Sequence, residues 1–512
     1  MPGLKPLIYV LVIAAIVFRL SKPFAVLFIT PQDLARRRKV WYALTIVAFL
    51  SPSFWLFVLV AIPVMTIAGR KDSNPSALYL MLLQVIPGID VPVPMIGMPF
   101  LFIINNYFLL SICIMLPVAL RILRSKQKTD DRRLDAMDFC LLAYGLLTAI
   151  LYVHYESPDG GVFPGSITES LRRGLVFLLG IFIAYYSLRH LNSDRRKLVD
   201  SMASFCLACA LMAAIAVFES ARHWALYQTA VQWGYFAGSR PLTRGDSLRA
   251  MASSGHSLAL GHLLVVALGF WLYLQTRLES AWLRIGVTVL YWAGLFAAYA
   301  RGAWIGAVLV SLLFTALRPN PLSKILKASL VGALVVGLVY LSPLADRIIS
   351  VMPFLGGQVD TFNVTYRDRL WDRAWQVIQQ SPIWGDPAAL SKMHDLRQGE
   401  GIIDLVNSYV AVLLGSGFVG LTLFGIFILI PLMKAWSANR LLKASDPDLC
   451  LMGASFVCCI IGTLLLIGST SFEGASERLF YILAALGAAY AQVAKASQLP
   501  LRSSAVDARP AV

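Results

Sequence analysis

Leu449-Cys-Leu-Met-Gly-Ala-Ser-Phe-Val-Cys-Cys-Ile-Ile-Gly-Thr-Leu-Leu-Leu-Ile467 contains no charged residue and no proline. Its length matches a helix crossing a hydrocarbon core about 30 Å thick. Predominantly apolar runs of similar length, with an occasional charge or proline, recur at residues 100–120, 171–188, 257–274 and 325–341. Backbone groups in lipid must bond internally, so such runs are helices, whereas a β-barrel needs segments of roughly ten residues with strict alternation. The whole chain agrees: 512 residues, 58% hydrophobic, 14% charged, mean hydropathy +0.70. A soluble chain would carry about 25% charged residues. The expected architecture is an all-α polytopic membrane protein with about 12–15 transmembrane helices.

The net charge of +16 is explained by topology, and nucleic acid is not expected as a partner. From Arg121 onward, spans and polar connections alternate. The connections at 121–133, 189–197, 277–284, 318–327 and 434–443 are all basic; those at 154–169, 219–250, 342–404 and 469–477 are mixed or acidic. The positive-inside rule makes the first set cytoplasmic and the second external. Sorting every Lys and Arg of the chain this way leaves only two external lysines, Lys5 and Lys392, against thirteen arginines. Arginine without lysine suits bidentate recognition of phosphate or carboxylate.

This alternation divides the chain into transmembrane helices over 1–341, a large periplasmic loop over 342–404, further transmembrane helices over 405–494 and a cytoplasmic tail over 495–512. Residues 4–20 read as an uncleaved first span. Residues 40–69 are broken at Ser51-Pro52-Ser53, giving two short helices or one kinked one, and the proline-rich 87–99 reads as an external turn. The seven cysteines lack zinc-ligand spacing and are read as packing residues. No internal repeat stands out, which counts against a transporter built from two related halves.

Arg301, followed by Gly302, stands between two apolar runs. A charge near lipid depth faces a cavity or a partner, or snorkels to the head groups. In the external loop, residues 366–380 have helical periodicity and end at Ser381-Pro382. Leu370, Trp371, Ala374, Trp375, Val377 and Ile378 would form one apolar face, with Arg367 in its middle and Arg369 pointing elsewhere. Arg240, Arg244 and Arg249 precede Ser253-Ser254-Gly255-His256 and are either a phosphate-binding cluster or solvated loop charge. His394 is a candidate general base. Glu219 and His256 mark span ends. No metal motif, Walker loop or nucleophile elbow appears in the external loops, so neither a metal nor another cofactor is expected.

These residues occur in a recognisable order. Arg249-Ala-Met-Ala-Ser-Ser-Gly-His256 leads into a span, and Ala300-Arg301-Gly302-Ala303-Trp304 follows. Then come Tyr366-Arg367-Asp368-Arg369-Leu370-Trp371, Pro382-Ile383-Trp384-Gly385, Asp404-Leu-Val-Asn407-Ser408-Tyr409 and Gly417-Phe-Val-Gly420-Leu421. The chain resembles the O-antigen ligase and polymerase superfamily of bacterial inner-membrane proteins, most closely its exopolysaccharide or O-antigen polymerase branch.

The resemblance implies a metal-independent integral-membrane glycosyltransferase of the GT-C type. Its donor would be an undecaprenyl-pyrophosphate-linked oligosaccharide in the bilayer, used at the periplasmic face, with a chain-length regulator as a further partner. Arg301 and Arg367 would hold the donor pyrophosphate, with Arg369 able to exchange with Arg367. Arg249, Asn407 and Tyr409 would complete the substrate site. Ligases carry His-Asn where this chain has Val406-Asn407. That departure points to polymerisation and leaves Asp404 and His394 as candidate bases. Transfer to a different acceptor is the alternative reading, and a lipid-linked oligosaccharide flippase or exporter a more distant one. The 342–404 loop, with six Lys or Arg against eight Asp or Glu, would be the lid and half of the active site.

Overall fold

A computed structural model describes residues 3–96, 100–124, 134–154, 167–230, 243–244, 247–318, 321–324, 326, 330, 332, 337, 340–341, 361–397, 403, 405–471 and 474–507. The expected span at 325–341, along with Arg240 and Asp404, lies largely or wholly outside them.

Among the described residues, the regular elements are helices apart from two minimal hairpins. In order run α1 Leu4–Leu20, α2 Lys22–Phe28, α3 Pro31–Leu50, α4 Phe54–Lys71 and the short α5 Pro75–Leu82. Strand β1, Asp90–Pro92, pairs antiparallel with β2, Ile103–Asn105, so the proline-rich stretch is one arm of a hairpin. Next come α6 Asn106–Arg124, α7 Ala136–Leu151, α8 Ile167–Leu191 and α9 Arg195–Arg222. A second hairpin pairs Thr243–Arg244 with Ser247–Leu248. Then follow α10 Ser257–Leu274, α11 Ala281–Ala297, α12 Arg301–Ala316, α13 Thr361–Ile378, α14 Ser408–Leu442, α15 Pro447–Ile467 and α16 Gly474–Asp507. The break at residues 51–53 separates two full helices, α3 and α4. Ser53 caps α4 by accepting from the Leu56 N–H.

Among the described residues, 8 helices are long and apolar enough to cross a membrane, or 9 if α1 and α2, bent by 62° at Ser21, form one span. Three further apolar helices, α7, α11 and α12, are shorter. Only if these also cross does the number reach the lower end of the expected range. Large apolar side chains face outward, including Leu59, Ile62, Leu146 and Val289, as they would against hydrocarbon rather than water. The cysteines pack between helices: Cys206 and Cys209 donate to the Ala267 and Leu263 carbonyls of α10.

Polar side chains turn inward and tie the ends of helices together. On one face, the fully buried Arg37 of α3 donates Nε and Nη2 to Asp72 at 2.9 and 2.7 Å, and Nη1 and Nη2 to Asp200 of α9 at 2.6 and 3.0 Å. Arg189 joins Asp135 and Asp138 on that face, and Arg195 joins Asp446 and Asp448. Arg301 lies at the other end of the bundle. Outside the main core, α13 builds a second one: Leu370, Ala374, Val377 and Ile378 pack on Ala389, Met393, Leu396 and the first turns of α14.

Candidate functional site

Several helix ends converge around the turn Gly468–Ser471, and this convergence defines the site. Arg301 opens α12, whose apolar body from Ala303 onward packs on α10 and α15. Gly302 lies so close to this turn that a Cβ would stand 3.1 Å from Ser469 Oγ. Gly261 of α10 admits Ala303 in the same way, a Cβ there falling 2.7 Å from the Ala303 Cβ. From the other side, Ser408 at the start of α14 donates to the Thr470 carbonyl at 2.7 Å, and Tyr409 donates its hydroxyl to the Leu464 carbonyl at 2.7 Å. Arg301 and Asn407 are thereby anchored to one short segment although far apart in the chain.

Arg301 is half-buried, and its Nε is buried without a partner among the described residues. The first-turn N–H groups of α12 add partial positive charge at the same place. Asn407 caps α14: its Oδ1 accepts from the N–H groups of Tyr409 and Val410 at 3.0 and 3.3 Å. Capping uses the amide oxygen and leaves the amide nitrogen available. The Tyr409 hydroxyl, by contrast, is committed to packing α14 on α15.

Arg249 is brought to the same end by backbone geometry. The N–H of Ala250 donates to the Ala297 carbonyl at 2.9 Å, at the close of α11 and just before Arg301. The segment is held from below by Glu219, 1% exposed at the end of α9. Its carboxylate accepts from the N–H groups of Leu226, Met251 and Ala252 at 2.9, 3.1 and 2.8 Å. Ala252 has φ 48 and Tyr299 φ 48, left-handed conformations costly for residues with a Cβ and held only by their surroundings. Glu219 was read from sequence only as a span-end marker. A lone acid closing an otherwise apolar run was the signal that it has a task.

The loop helix begins earlier than its periodicity indicated, at Thr361, and ends at Ile378. Its apolar face also divides. Tyr366, Leu370, Ala374, Val377 and Ile378 turn towards the second core, while Trp371 and Trp375 remain 52% and 42% exposed. Arg367 is exposed and shares the four-residue spacing of those two tryptophans, so it lies beside the buried face and not in its centre. Trp371 and Trp375 stack with ring centroids 6.2 Å apart. Arg369 is exposed as well. His394 sits exposed in a 3-10 turn at the far edge of this small core, a turn steadied by Arg373, which donates to the Lys392 carbonyl at 3.1 Å. No described contact links His394 with the Arg301 turn.

The loop is fastened to the bundle by its glycines. Inside α14, Gly417 has φ 62 and ψ −168, and this breaks the helical ladder. The released groups are re-paired by the Pro382–Gly385 turn: Phe418 N–H donates to Pro382 O at 2.8 Å, Val419 N–H to Ile383 O at 3.2 Å, and Asp386 N–H to Leu414 O at 2.7 Å. Two of the motifs read separately in the sequence are one interlocked structure.

Residues 285–425 match the family described as O-antigen ligase. Over that segment the match supports a relationship to the O-antigen ligase/polymerase superfamily. No curated protein matches it. The O-antigen ligase segment runs from α11 past the Gly417 break, so it takes in Arg301, the loop helix and the Asn407 cap. Arg249 and Glu219 lie before it, although the fold joins them to the same helix ends.

Proposed function

We propose that the protein is an inner-membrane polysaccharide polymerase. It would transfer undecaprenyl-pyrophosphate-linked glycan onto another lipid-linked repeat unit at the periplasmic face. The observation that carries this reading is Arg301: a half-buried guanidinium without a counter-ion among the described residues, opening an apolar helix beside the Asn407 cap. The relationship of residues 285–425 to the O-antigen ligase/polymerase superfamily supports it. The positive-inside rule puts the Arg301 end outside, where finished repeat units are available.

In the reaction, an acceptor hydroxyl oxygen bonds to the anomeric carbon of the donor glycan. The bond from that carbon to the diphosphate oxygen breaks, and the diphosphate departs with the electron pair. Negative charge builds on the leaving group, and guanidiniums fixed in a low-dielectric site stabilise it without reorganising. Arg301 and Arg249 would bind the diphosphate from the membrane side; Arg367 and Arg369, on the exposed side of α13, would meet it from the loop. The Asn407 amide nitrogen would orient a sugar oxygen. The acceptor proton needs a base, for which Asp404, three residues before Asn407 in sequence, and His394 are the candidates. Charge stabilisation by arginine assigns no role to a metal.

The family description itself favours a second reading, transfer of glycan to a different acceptor. The two are separated by their products. Purified protein given only a lipid-linked repeat unit should yield longer glycans still attached to lipid. A product formed only when a second acceptor is added, with no lengthening on lipid, would identify a ligase.

A further inference from the structure

Arg478 lies in the first turns of α16, just beyond the turn that organises the Arg301 site. It is 7% exposed, and its Nε and Nη1, which carry most of the guanidinium's N–H donors, are buried with no hydrogen-bond partner among the described residues. Among the described residues, the carboxylate within ion-pair range is that of its neighbour Glu477, with Nη2 4.0 Å from Oε2, at the limit of such a contact. The guanidinium stands 5.7 Å from the centre of the Tyr107 ring, and its charge is felt at Tyr79 and Asp90.

The surroundings of this guanidinium are specialised. Gly180 presents bare backbone to the guanidinium: a Cβ there would stand 3.7 Å from Nη1 and 3.9 Å from Nη2. Gly180 falls within a π-helical turn, Leu178–Phe182, which abuts another, Ser111–Met115, and Ser111 Oγ donates to the Leu179 carbonyl at 2.5 Å. Such turns recur at functional sites. Gln84 donates Nε2 to the Tyr107 hydroxyl at 3.4 Å, while its own Oε1 is buried without a partner. The Gln84 carbonyl in turn accepts from Ser253 Oγ, in the loop that follows Arg249. The Arg478 surroundings thus adjoin the Arg249 segment through Gln84 and are contributed by α6 and α8.

A buried guanidinium lacking a full counter-ion is costly, and contact with an aromatic face recovers only a fraction of that cost. An intramembrane arginine of this kind needs an anionic partner. Phosphate is the anion that a bilayer supplies at this depth, either on a lipid-linked glycan or on a phospholipid. We infer that Arg478, backed by Gly180 and Tyr107, forms a second phosphate-binding position, separate from the Arg301 turn. This inference does not depend on the donor role proposed for Arg301.

Its test uses purified full-length protein carrying Arg301→Ala, which removes the guanidinium at the Arg301 turn. The protein is titrated in neutral detergent with farnesyl diphosphate and, separately, with phosphatidylglycerol in mixed micelles, following unfolding temperature and dissociation constant. Saturable stabilisation by at least one probe is expected, and the probe that binds identifies the source of the phosphate. Adding Arg478→Lys should weaken that binding at least tenfold. Arg478→Met should abolish it, with an unfolding temperature in the absence of ligand that holds or rises, since an unpaired buried charge has gone. If the methionine variant does not fold, the lysine variant alone decides. Equal affinity with and without Arg478→Lys, or no saturable binding of either probe, overturns the inference.

Discussion

Gly385 and Gly417 close on one another through bare backbone: a Cβ on Gly385 would stand 2.4 Å from the Gly417 amide nitrogen, and one on Gly417 would stand 2.2 Å from the Ile383 carbonyl oxygen. The contact repairs a broken helix, because the Pro382–Gly385 turn supplies the hydrogen bonds that α14 lacks at Gly417. Broken backbone at membrane depth is tolerated only where protein re-pairs it in this way.

Gly417→Ala combines a left-handed φ with this clash. It should destabilise the protein by about 3 kcal/mol or more and detach the loop from the bundle. Gly425, in the same helix with open space around it, is the control. Gly425→Ala should be neutral or stabilise by up to about 1 kcal/mol. Thermal unfolding in detergent distinguishes the two, and equal behaviour would remove the structural role given to the Gly385–Gly417 contact.

Arg37 is balanced by two carboxylates, Asp72 and Asp200, at the end of the bundle away from Arg301. Arg37→Leu leaves both buried and uncompensated, with an expected cost of about 3–5 kcal/mol. The loss should appear in unfolding temperature and expression level. A purified, stable Arg37→Leu protein would show that the network contributes little to the assembly.

Asp135 predicts an acid dependence. Burial alone would raise its carboxyl pKa, but hydrogen bonds and charge from Arg189, with the charge of Lys434, outweigh burial and draw it down to about 2. A group lowered on folding stabilises the protein above its unfolded value of about 3.9, and that contribution fades as pH falls from about 4 towards 2. Asp135→Asn should therefore lose about 1–2 kcal/mol at neutral pH, with the gap to the parent narrowing below pH 4 in unfolding measurements. A gap constant down to pH 2 would contradict the pairing.

Glu219 should behave as a positioning residue. Glu219→Gln replaces an acceptor facing three backbone N–H groups with an amide that cannot accept with both ends. We expect roughly a tenfold or greater loss of glycan transfer with a folded protein. Protection of the Met251 and Ala252 amides from hydrogen exchange should fall as well. Unchanged exchange at those amides would show that Glu219 does not hold the Arg249 segment.

The spans were legible because lipid imposes one requirement on every helix that crosses it, and Leu449 to Ile467 meets it without ambiguity. The grouping of Arg301 with Asn407 was legible as motif order, although the agent of that grouping, the Ser469–Thr470 turn, carries no pattern of its own. Arg367 was misplaced because helical periodicity marks an apolar stripe without saying how much of it is covered. Trp371 and Trp375 belong to the stripe yet stay half-exposed, and Arg367 goes with them. Arg478 and Arg37 escaped notice because their surroundings are assembled from distant segments. Tyr107 and Gly180 meet Arg478, and Asp72 and Asp200 meet Arg37; local sequence records neither encounter.

The central claim, that Arg301 stabilises the diphosphate leaving group, is tested most directly by lengthening of a lipid-linked repeat unit in vitro. Purified Arg301→Ala should fold, as judged by an unfolding temperature close to that of the parent. Its rate of chain lengthening should fall by about a hundredfold or more, the scale of losing one preorganised group that stabilises transition-state charge, and Arg301→Lys should recover part of the loss. Full-length polymer made at the parental rate by Arg301→Ala would contradict the account.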